Sequence, residues 1–326
     1  MCTAITKSFT DCYFGRTLDY DRVYPFQLIF TPRRFRHDFR HMESGHSSYA
    51  ILGMGMPLDG IPLFFDAINE KGIFAAGLLF EGNAVYHKPL AGMDNIPSFA
   101  LIPWILGHCA SLQEVRTALT RIHVTDTPFR EDLPPSPLHW FLSDGKDSLV
   151  VEPLTNGIQI HDNPTGVLTN NPPFPMQIFR LSEFMGLSPY PPQNRFTDMI
   201  SFTPYSRGMG AIGLPGDWTS SSRFVRSVFV RQNAAECLSE AENVGQIFHM
   251  LGTVEQIKGC VRLSNGGMPY TQYTSCVNGS RGIYYCTGYH NRRITAVDMW
   301  QEDMDGENMI LFSVAEEEDI LYLNRG

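Results

Sequence analysis

Short apolar runs separated by glycine and proline dominate the first 80 residues of the chain. After an opening "TAITKSF" come "CYFGRTLDY", "FQLIFTP", "YAILGMGM" and "GIFAAGLLF". Runs of this length, bounded by turn-forming residues, are typical of β-strands. This region is therefore predicted to consist of consecutive strands.

Helical patterns follow in three places. The segment "IPSFALIPWILGHCA" is apolar nearly all round, which indicates a well-buried helix. In "SLQEVRTALTRI", Ser111 stands three residues before Glu114, as in a capping box, and apolar residues recur at helical spacing. The same spacing of Ser239 and Glu242 opens a third predicted helix, "SEAENVGQIFHMLGTV".

Between and after these helices the strand pattern resumes. "HWFLSD", "SLVVEP" and "IQIHD" are predicted strands, and the C-terminal part is predicted to form hairpins that turn at Asn278-Gly279 and near Asn291. Helices do not alternate with single strands, so a doubly wound parallel sheet fits poorly. Mainly antiparallel sheets with helices layered on them fit better.

Composition narrows the class of protein. The 326 residues are 43% apolar and 18% charged, which suits an ordered core, and the net charge of -9 argues against broad binding to nucleic acid. Four arginines in residues 33–40 are predicted to be a solvated strand end or loop. No run approaches the roughly 18 apolar residues of a membrane span, and no signal-peptide pattern opens the chain, so we expect a cytoplasmic protein.

Two motifs suggest cofactors, but neither has the context that it needs. "GMGAIG" matches a dinucleotide loop, yet Pro215 and Gly216 follow it and would end the required helix. His37, His41 and His46 lie in a polar segment where solvated histidines are expected rather than metal ligands. We therefore predict no metal and no organic cofactor.

The N-terminus carries the candidate chemistry. The seven cysteines form no CxxC pair and are expected to be reduced, and Cys2 follows Met1 directly. Cys2 could simply be a small residue in that place. Alternatively, removal of Met1 would leave Cys2 with a free α-amine, whose ordinary pKa of about 8 makes it a base beside its own thiol. Arg16 could activate the thiol by its positive charge, and Asp19 could hold the amine or orient the thiol.

Longer motifs relate the chain to a known family. It resembles the choloylglycine hydrolase family, which contains conjugated bile acid hydrolases and penicillin V acylases. The resemblance runs from residue 1 to about 299 and is carried by "MCTA", "FGRTLD", "LGMG", "NEKG", "AAGLLF", "LHWFLSD", "GVLTNNPPF", "GLPGDWTSSSRFVR", "QYTSC" and "AVDM". It implies an α+β N-terminal-nucleophile (Ntn) hydrolase, a four-layer αββα sandwich with two central antiparallel sheets, as a single domain over residues 1–326 and commonly as a homotetramer.

The resemblance also implies roles for single residues. Cys2 matches the nucleophile, Arg16 and Asp19 match the charged pair near it, Asn170 matches the asparagine of "TNxP", and Arg223 matches the arginine after "GLPGD". Attack on an amide carbonyl creates an oxyanion, for which the Asn170 side chain and a backbone N–H at the end of "AAGLLF" are the expected donors.

One position departs from the family pattern. Bile salt hydrolases similar to this chain usually carry asparagine at Leu79, and penicillin V acylases often carry tyrosine. The Leu79 backbone N–H survives the change, whereas a polar side-chain contact to substrate or to Arg223 would be lost. The rate, the substrate class or both depend on this position.

The substrate site can be inferred from register with the family. Apolar residues expected to line the acyl site suit a large hydrophobic acyl group such as a steroid; they are Leu18, Tyr24, Met56, Leu58, Phe129 and Leu133. Arg207 lies in "SRG", where the family places a loop near the amino-acid end of the conjugate, and could bind a sulfonate by charge-assisted hydrogen bonds.

The expected function is hydrolysis of glycine- or taurine-conjugated bile acids through a thioester on Cys2 after loss of Met1. A penicillin V or other N-acyl amide acylase is the alternative enzyme. An inactive ligand-binding homologue is the alternative outside enzymes, either because Leu79 replaces a needed group or because a retained Met1 blocks the α-amine.

Overall fold

Two large antiparallel sheets lie face to face in the computed structural model, which describes residues 1–42 and 44–324. The strands of the described residues are β1 (Cys2–Ser8), β2 (Cys12–Tyr20), β3 (Gln27–Thr31), β4 (Arg36–His37), β5 (Gly45–His46), β6 (Ile51–Leu58), β7 (Ile61–Asn69), β8 (Phe74–Leu79), β9 (Asp94–Pro97), β10 (Ile122–Thr125), β11 (Leu138–Ser143), β12 (Ser148–Leu154), β13 (Gly157–Asp162), β14 (Val167–Leu168), β15 (Tyr270–Asn278), β16 (Ile283–Gly288), β17 (Thr295–Asp298) and β18 (Ile310–Phe312). The α-helices are α1 (Leu101–His108), α2 (Leu112–Leu119), α3 (Phe174–Leu181), α4 (Ser220–Asn233) and α5 (Glu240–Gly252).

Both sheets combine hairpins with neighbouring strands that are distant in sequence. Sheet I has the order β14-β1-β2-β15-β16-β17, and sheet II has the order β13-β12-β11-β8-β7-β6-β3-β18. The strand pairs within both sheets are antiparallel. Two further pairs stand apart, the antiparallel β4-β5 and the parallel β9-β10.

The principal core lies between the sheets. Phe14 of sheet I stacks on Phe74 of sheet II, with ring centroids 5.0 Å apart, and both side chains are fully buried. A second core lies under α1 and α2 on the far side of sheet II, and α4 and α5 pack on the far side of sheet I. The layers are therefore helix, sheet, sheet, helix, and the predicted αββα sandwich with two central antiparallel sheets is confirmed.

The predicted helix caps are present with one difference. In α5, Ser239 and Glu242 make the full reciprocal capping box. In α2, Ser111 accepts from the Glu114 N–H, but the Glu114 carboxylate accepts from Ala110 N instead of Ser111 N. The serine cap alone is therefore enough to start α2.

Several elements were not predicted from the sequence, and β7, α3 and α4 are the longest of them. The strand β7 is a nearly continuous apolar run, "IPLFFDAIN", whose side chains are buried on both faces, so it lacks the alternation of a half-exposed strand. The helix α3 follows a cis Asn171-Pro172 bond and a second proline, and α4 opens with three serines. The prolines and serines favour turns locally, so packing decides the structure of these two helices: α4 packs on β1 and β14, and α3 packs on α4.

The C-terminal hairpin turns where expected but less tightly. β15 and β16 pair as far as Asn278 and Ile283, so residues 279–282 form the connection. The Asn278 side chain accepts from the backbone N–H groups of Ser280 and Arg281, which closes this turn.

The prediction of solvated histidines was wrong for His37. Its ring packs against Phe35 and Phe39 with 3% of its surface exposed, and this burial lowers the pKa of His37 to about 4. His41 and His46 are exposed, as expected. Across the described ranges, no group of three metal-ligating side chains occurs.

All seven cysteines lie in the described part of the chain and are free. Within residues 1–42 and 44–324, no helix is long and apolar enough to cross a membrane.

Candidate active site

Strand pairing in sheet I brings the predicted site residues together. Cys2 opens β1 directly opposite Leu18 of β2, and Ala4 of β1 lies opposite Leu168 of β14 on the other side. Asn170 follows two residues after Leu168, so the chain that leaves β14 passes the start of β1. Cys2 is 4% exposed at this junction.

Met1 is seated on β2 through its backbone. The Met1 α-amine donates to the Asp19 carbonyl, and the Met1 carbonyl accepts from Asp19 N at 2.8 Å. The Cys2 nitrogen is therefore a peptide N–H, and it donates to Asn170 Oδ1 at 2.8 Å. Cleavage after Met1 would leave the new α-amine of Cys2 at the same amide oxygen.

Asn170 joins three parts of the molecule. Its Oδ1 accepts from Cys2 N and from Arg223 Nη2 at 2.7 Å, and its Nδ2 donates to the Leu79 carbonyl at 2.7 Å. Both ends of the amide are thus engaged, which fixes its orientation. The Nδ2 group that the family resemblance assigns to the oxyanion is held by Leu79 O in this arrangement.

Arg223 comes from the first turn of α4 and is fully buried. Its Nη1 donates to the Cys2 carbonyl and to Thr3 Oγ1, both at 2.6 Å, and its Nε donates to the Trp218 carbonyl at 3.2 Å. Burial lowers the pKa of Arg223, while the negative charge of Asp19 opposes that shift. The guanidinium places a cation and a rigid set of donors beside the Cys2 backbone.

Leu79 presents its backbone to the same place. It lies opposite Leu138 in β11, but Leu138 N donates to the Tyr86 hydroxyl and Leu79 O accepts from Asn170. The peptide groups of Leu79 therefore face away from β11. The N–H and C=O of one strand residue point to the same side, so the Leu79 N–H points toward β7.

On that side the ladder between β7 and β8 is incomplete. It pairs only Asp66–Ile68 with Phe74–Ala76, and β7 carries an extra residue at Phe65. The bulge turns β7 away and opens a cleft that Cys2, Gly77 and Leu79 line. The Leu79 N–H is thus a donor at the cleft beside Cys2.

Arg16 fills the gap where the ladder ends. It projects between the sheets with none of its surface exposed, and its Nη1 donates to the carbonyls of Phe65 at 3.0 Å and Gly77 at 3.1 Å. Two carbonyls that the split ladder leaves unpaired are satisfied by one guanidinium nitrogen. Its Nε lies 3.8 Å from the Asp66 carboxylate.

Asp66 is a buried site residue that sequence reasoning missed. The hydroxyls of Tyr273 and Tyr284 both donate to its carboxylate, which is fully buried. Burial raises the pKa of Asp66 and the Arg16 charge opposes it; burial lowers the pKa of Arg16, but Tyr273, Cys2 and Asp66 raise it overall. An acidic residue inside the apolar run "IPLFFDAIN" is the signal that could have found it.

Asp19 is fixed by threonines. Its Oδ1 accepts from Thr271 Oγ1 at 2.6 Å and its Oδ2 accepts from Thr17 Oγ1 at 3.3 Å. The amine of Met1 meets the Asp19 carbonyl rather than this carboxylate. Asp19 therefore places a buried negative charge beside the nucleophile while its backbone holds the residue before Cys2.

An apolar cleft runs from Cys2 past Tyr24. Leu18 and Tyr24 line its part nearest Cys2, and Met56, Phe129 and Leu133 line its far part. Several lining residues were not predicted from the sequence: Leu63, Phe64, Phe65, Phe99, Pro134, Pro135 and Leu138.

Two predicted binding residues lie elsewhere. Leu58 is half-buried at the end of β6, and Arg207 is exposed in the long connection between α3 and α4. Neither lines the cleft.

Comparison with known proteins finds relatives over nearly the whole chain. A family model described as linear amide C–N hydrolases, choloylglycine hydrolase family, matches residues 2–312. A bile salt hydrolase/transferase of Lactiplantibacillus plantarum is 42% identical over 99% of this chain and all of that protein. One of Clostridium perfringens is 36% identical over 95% of each.

Solved structures show the same fold. Two variants of conjugated bile acid hydrolase from Clostridium perfringens match with TM-scores of 0.91 and 0.92 at 34% identity, over 99% of this chain and all of theirs. Penicillin V acylase from Agrobacterium tumefaciens matches with a TM-score of 0.75 at 18% identity, over 94% of this chain and 90% of that one. At this identity the likeness shows the fold alone.

The charge of Arg16 should raise the reactivity of the Cys2 thiol. We expect Arg16→Met to slow alkylation of Cys2 by iodoacetamide about tenfold at pH 7, because a nearby cation favours the reactive thiolate. Peptide-resolved mass spectrometry separates Cys2 from the exposed Cys260. Arg231→Met is the matched control, since Arg231 also binds β1, at the Thr6 carbonyl. Equal slowing in both variants would contradict a specific effect of Arg16.

Proposed function

The chain belongs to the choloylglycine hydrolase family of linear amide C–N hydrolases, and from that premise we propose that it cleaves the amide bond of glycine- or taurine-conjugated bile acids. The observation that carries the proposal is the position of Cys2 at the end of an apolar cleft, tied to Asn170 and Arg223. The curated relatives named bile salt hydrolase/transferase support the substrate class.

The proposed reaction begins when Met1 is removed. The freed α-amine of Cys2, held by Asn170 Oδ1, takes the thiol proton, and the thiolate attacks the amide carbonyl. Arg16 stabilises the thiolate by its charge. Arg223 keeps the Asn170 amide turned so that its oxygen faces the amine.

The carbonyl oxygen becomes an oxyanion as the C–S bond forms. The Leu79 N–H is the donor that supports this step, because the incomplete β7–β8 ladder leaves it directed at the cleft. Asn170 Nδ2 can join it only by leaving the Leu79 carbonyl. A leucine side chain at residue 79 does not alter the backbone donor.

Collapse of this intermediate breaks the C–N bond. The leaving amine takes the proton held on the Cys2 α-ammonium, which leaves a bile acyl thioester on Cys2. The α-amine then takes a proton from water, whose hydroxide attacks the thioester, and the thiol is restored as the acid leaves. Glycine or taurine and one bile acid are the products.

The acyl site in this proposal is the cleft lined by Leu18, Tyr24, Met56, Phe129 and Leu133. These side chains bury apolar surface of the steroid, and the Tyr24 hydroxyl is the one polar side-chain group among them. Leu58 lies outside this cleft, at the end of β6, and is not part of the proposed acyl site.

The substrate proposal is tested by product release. We expect the purified protein to release taurine from taurocholate and at most a few per cent as much phenoxyacetate from penicillin V. Cys2→Ala should release neither, with N-terminal mass spectrometry showing loss of Met1 in the wild type. The same assay with added glycine measures transfer of the acyl group to an amine, the second activity in the names of the relatives.

Other outcomes separate the alternatives. Preferential release of phenoxyacetate would assign the protein as a penicillin acylase. Bile salt binding without release, in protein that has lost Met1, would assign it as a binding protein. Full taurine release by Cys2→Ala would contradict the mechanism.

Arg207 is proposed to select the head group. Its guanidinium suits a sulfonate, but it is exposed and outside the cleft, so it must act from the α3–α4 connection. We expect Arg207→Gly to lower activity on taurocholate several-fold more than on glycocholate. Equal loss of kcat/KM on both substrates would remove Arg207 from head-group recognition.

The proposal includes a cytoplasmic homotetramer. The support for the tetramer is a set of exposed apolar side chains on α3 and the connection that follows, which a monomer rarely leaves uncovered; they are Met176, Phe179, Met185, Tyr190, Phe196, Met199, Ile200, Phe202 and Tyr205.

Light scattering tests the assembly. We expect about four times the 36.8 kDa of one chain. A Phe196→Asp, Met199→Asp double variant should lower that mass, and Leu238→Asp, at an equally exposed position before α5, should not. A wild-type mass of one or two chains would contradict a tetramer.

A further inference from the structure

We infer that His139 and Glu152 form a buried clamp that positions Asn170 for the reaction, an inference that rests on the proposed function. The two side chains come from neighbouring strands of sheet II, β11 and β12, one position beyond the Trp140–Val151 pair. Each is fully buried. Neither lines the cleft or touches Cys2, so their role is distinct from that of the groups around the nucleophile.

His139 holds the chain just before Asn170. Its Nε2 lies 2.8 Å from the carbonyl oxygen of Thr169. A carbonyl oxygen can only accept, so Nε2 carries the proton in this hydrogen bond. The other ring nitrogen, Nδ1, lies 3.4 Å from Glu152 Oε1, and a proton shared between these two atoms makes this contact a hydrogen bond.

Glu152 holds the chain just after Asn170. Its Oε1 accepts from Phe174 N, the first residue of α3, at 2.8 Å. The pair therefore grips both ends of residues 169–174, the segment that contains Asn170 and the cis Asn171-Pro172 bond. Because two prolines in this segment have no N–H, few other backbone donors are available to fix it.

The same histidine also contacts the residue that follows β8, the strand that ends at Leu79. Its ring stacks on Phe80, with centroids 4.3 Å apart and planes 7° apart. Phe80 follows Leu79, whose carbonyl accepts from Asn170 Nδ2. One imidazole thus sets the distance between the Asn170 segment and the end of β8.

A buried His–Glu pair is less favourable for stability at this place than apolar side chains would be. Phe141 and Val150, the next residues on the same face of β11 and β12, belong to the apolar core between the sheets. An ionisable pair in that layer loses hydration that apolar side chains would not lose. Gln177 and Ser220 hold the Asn170 segment from the helical side, so the clamp supplies the fixed support on the side of sheet II.

A double-mutant cycle tests the inference with taurocholate as the substrate. We expect His139→Ala to lower kcat about 10- to 100-fold with KM within about twofold, because misplacing a reacting group costs rate more than binding. In an Asn170→Ala background, the same change should cost less than about twofold. Glu152→Gln keeps an acceptor for Phe174 N and serves as a milder second variant, with a smaller loss that also disappears in the Asn170→Ala background.

A control separates positioning from general destabilisation. Asn69 is an equally buried polar side chain that ties down backbone at the end of α1, through the carbonyls of Leu106 and Cys109. Asn69→Ala should leave kcat within about threefold of the wild type. The clamp would be overturned if His139→Ala lowered kcat by the same factor in the Asn170→Ala background as in the wild type. An equal loss of kcat in Asn69→Ala would overturn it as well.

Hydrogen exchange measured by mass spectrometry tests the clamp independently of any substrate. We expect the peptide covering residues 168–178 to exchange faster in His139→Ala and unchanged in Asn69→Ala. Unchanged exchange in His139→Ala would refute the clamp even if taurine is released. Faster exchange in a protein that releases no taurine would support the clamp and refute the proposed function.

Discussion

The site depends on one amide oxygen. Asn170 Oδ1 accepts from Cys2 N and from Arg223 Nη2, and these two bonds hold β1, the end of β14 and α4 in one arrangement. A buried acceptor with two donors, one of them charged, has a single favourable orientation. That orientation directs Nδ2 to Leu79 and presents the oxygen to whatever nitrogen Cys2 carries. With Met1 present, this nitrogen is a peptide N–H. After removal of Met1 it is an α-amine at the same place.

A defect in sheet II supplies the second half of the site. The extra residue at Phe65 ends the β7–β8 ladder, and Arg16 satisfies two of the carbonyls that this leaves. The same opening directs the Leu79 N–H at the cleft. Asp66, with its two tyrosine donors, balances the charge of Arg16 in a layer otherwise closed to water. Both the donor and the cleft therefore follow from one bulge.

Local patterns predicted much of the fold and less of the site. Some features depend only on neighbouring residues and can therefore be predicted from the sequence. They include the strands bounded by glycine and proline and the Ser239–Glu242 cap. The apolar run of β7 lacks the alternation of a half-exposed strand, and the prolines and serines that begin α3 and α4 favour turns, so these three elements depend on packing. The chemistry of the N-terminus brought Cys2, Arg16 and Asp19 to notice, and the family motifs added Asn170 and Arg223. The partners of Asn170 Nδ2, the charge of Asp66 and the burial of His37 depend on contacts between distant strands, which no local pattern encodes.

The central claim is that Cys2, freed of Met1, carries the acyl group of the substrate. Protein mixed with taurocholate, quenched in acid and digested should give an N-terminal peptide that begins at Cys2 and is heavier by one cholyl group. The peptide that begins at Met1 should carry no such group. Taurine released at a steady rate while the Cys2 peptide stays unmodified at every quench time, or turnover by protein that retains Met1, would contradict this account.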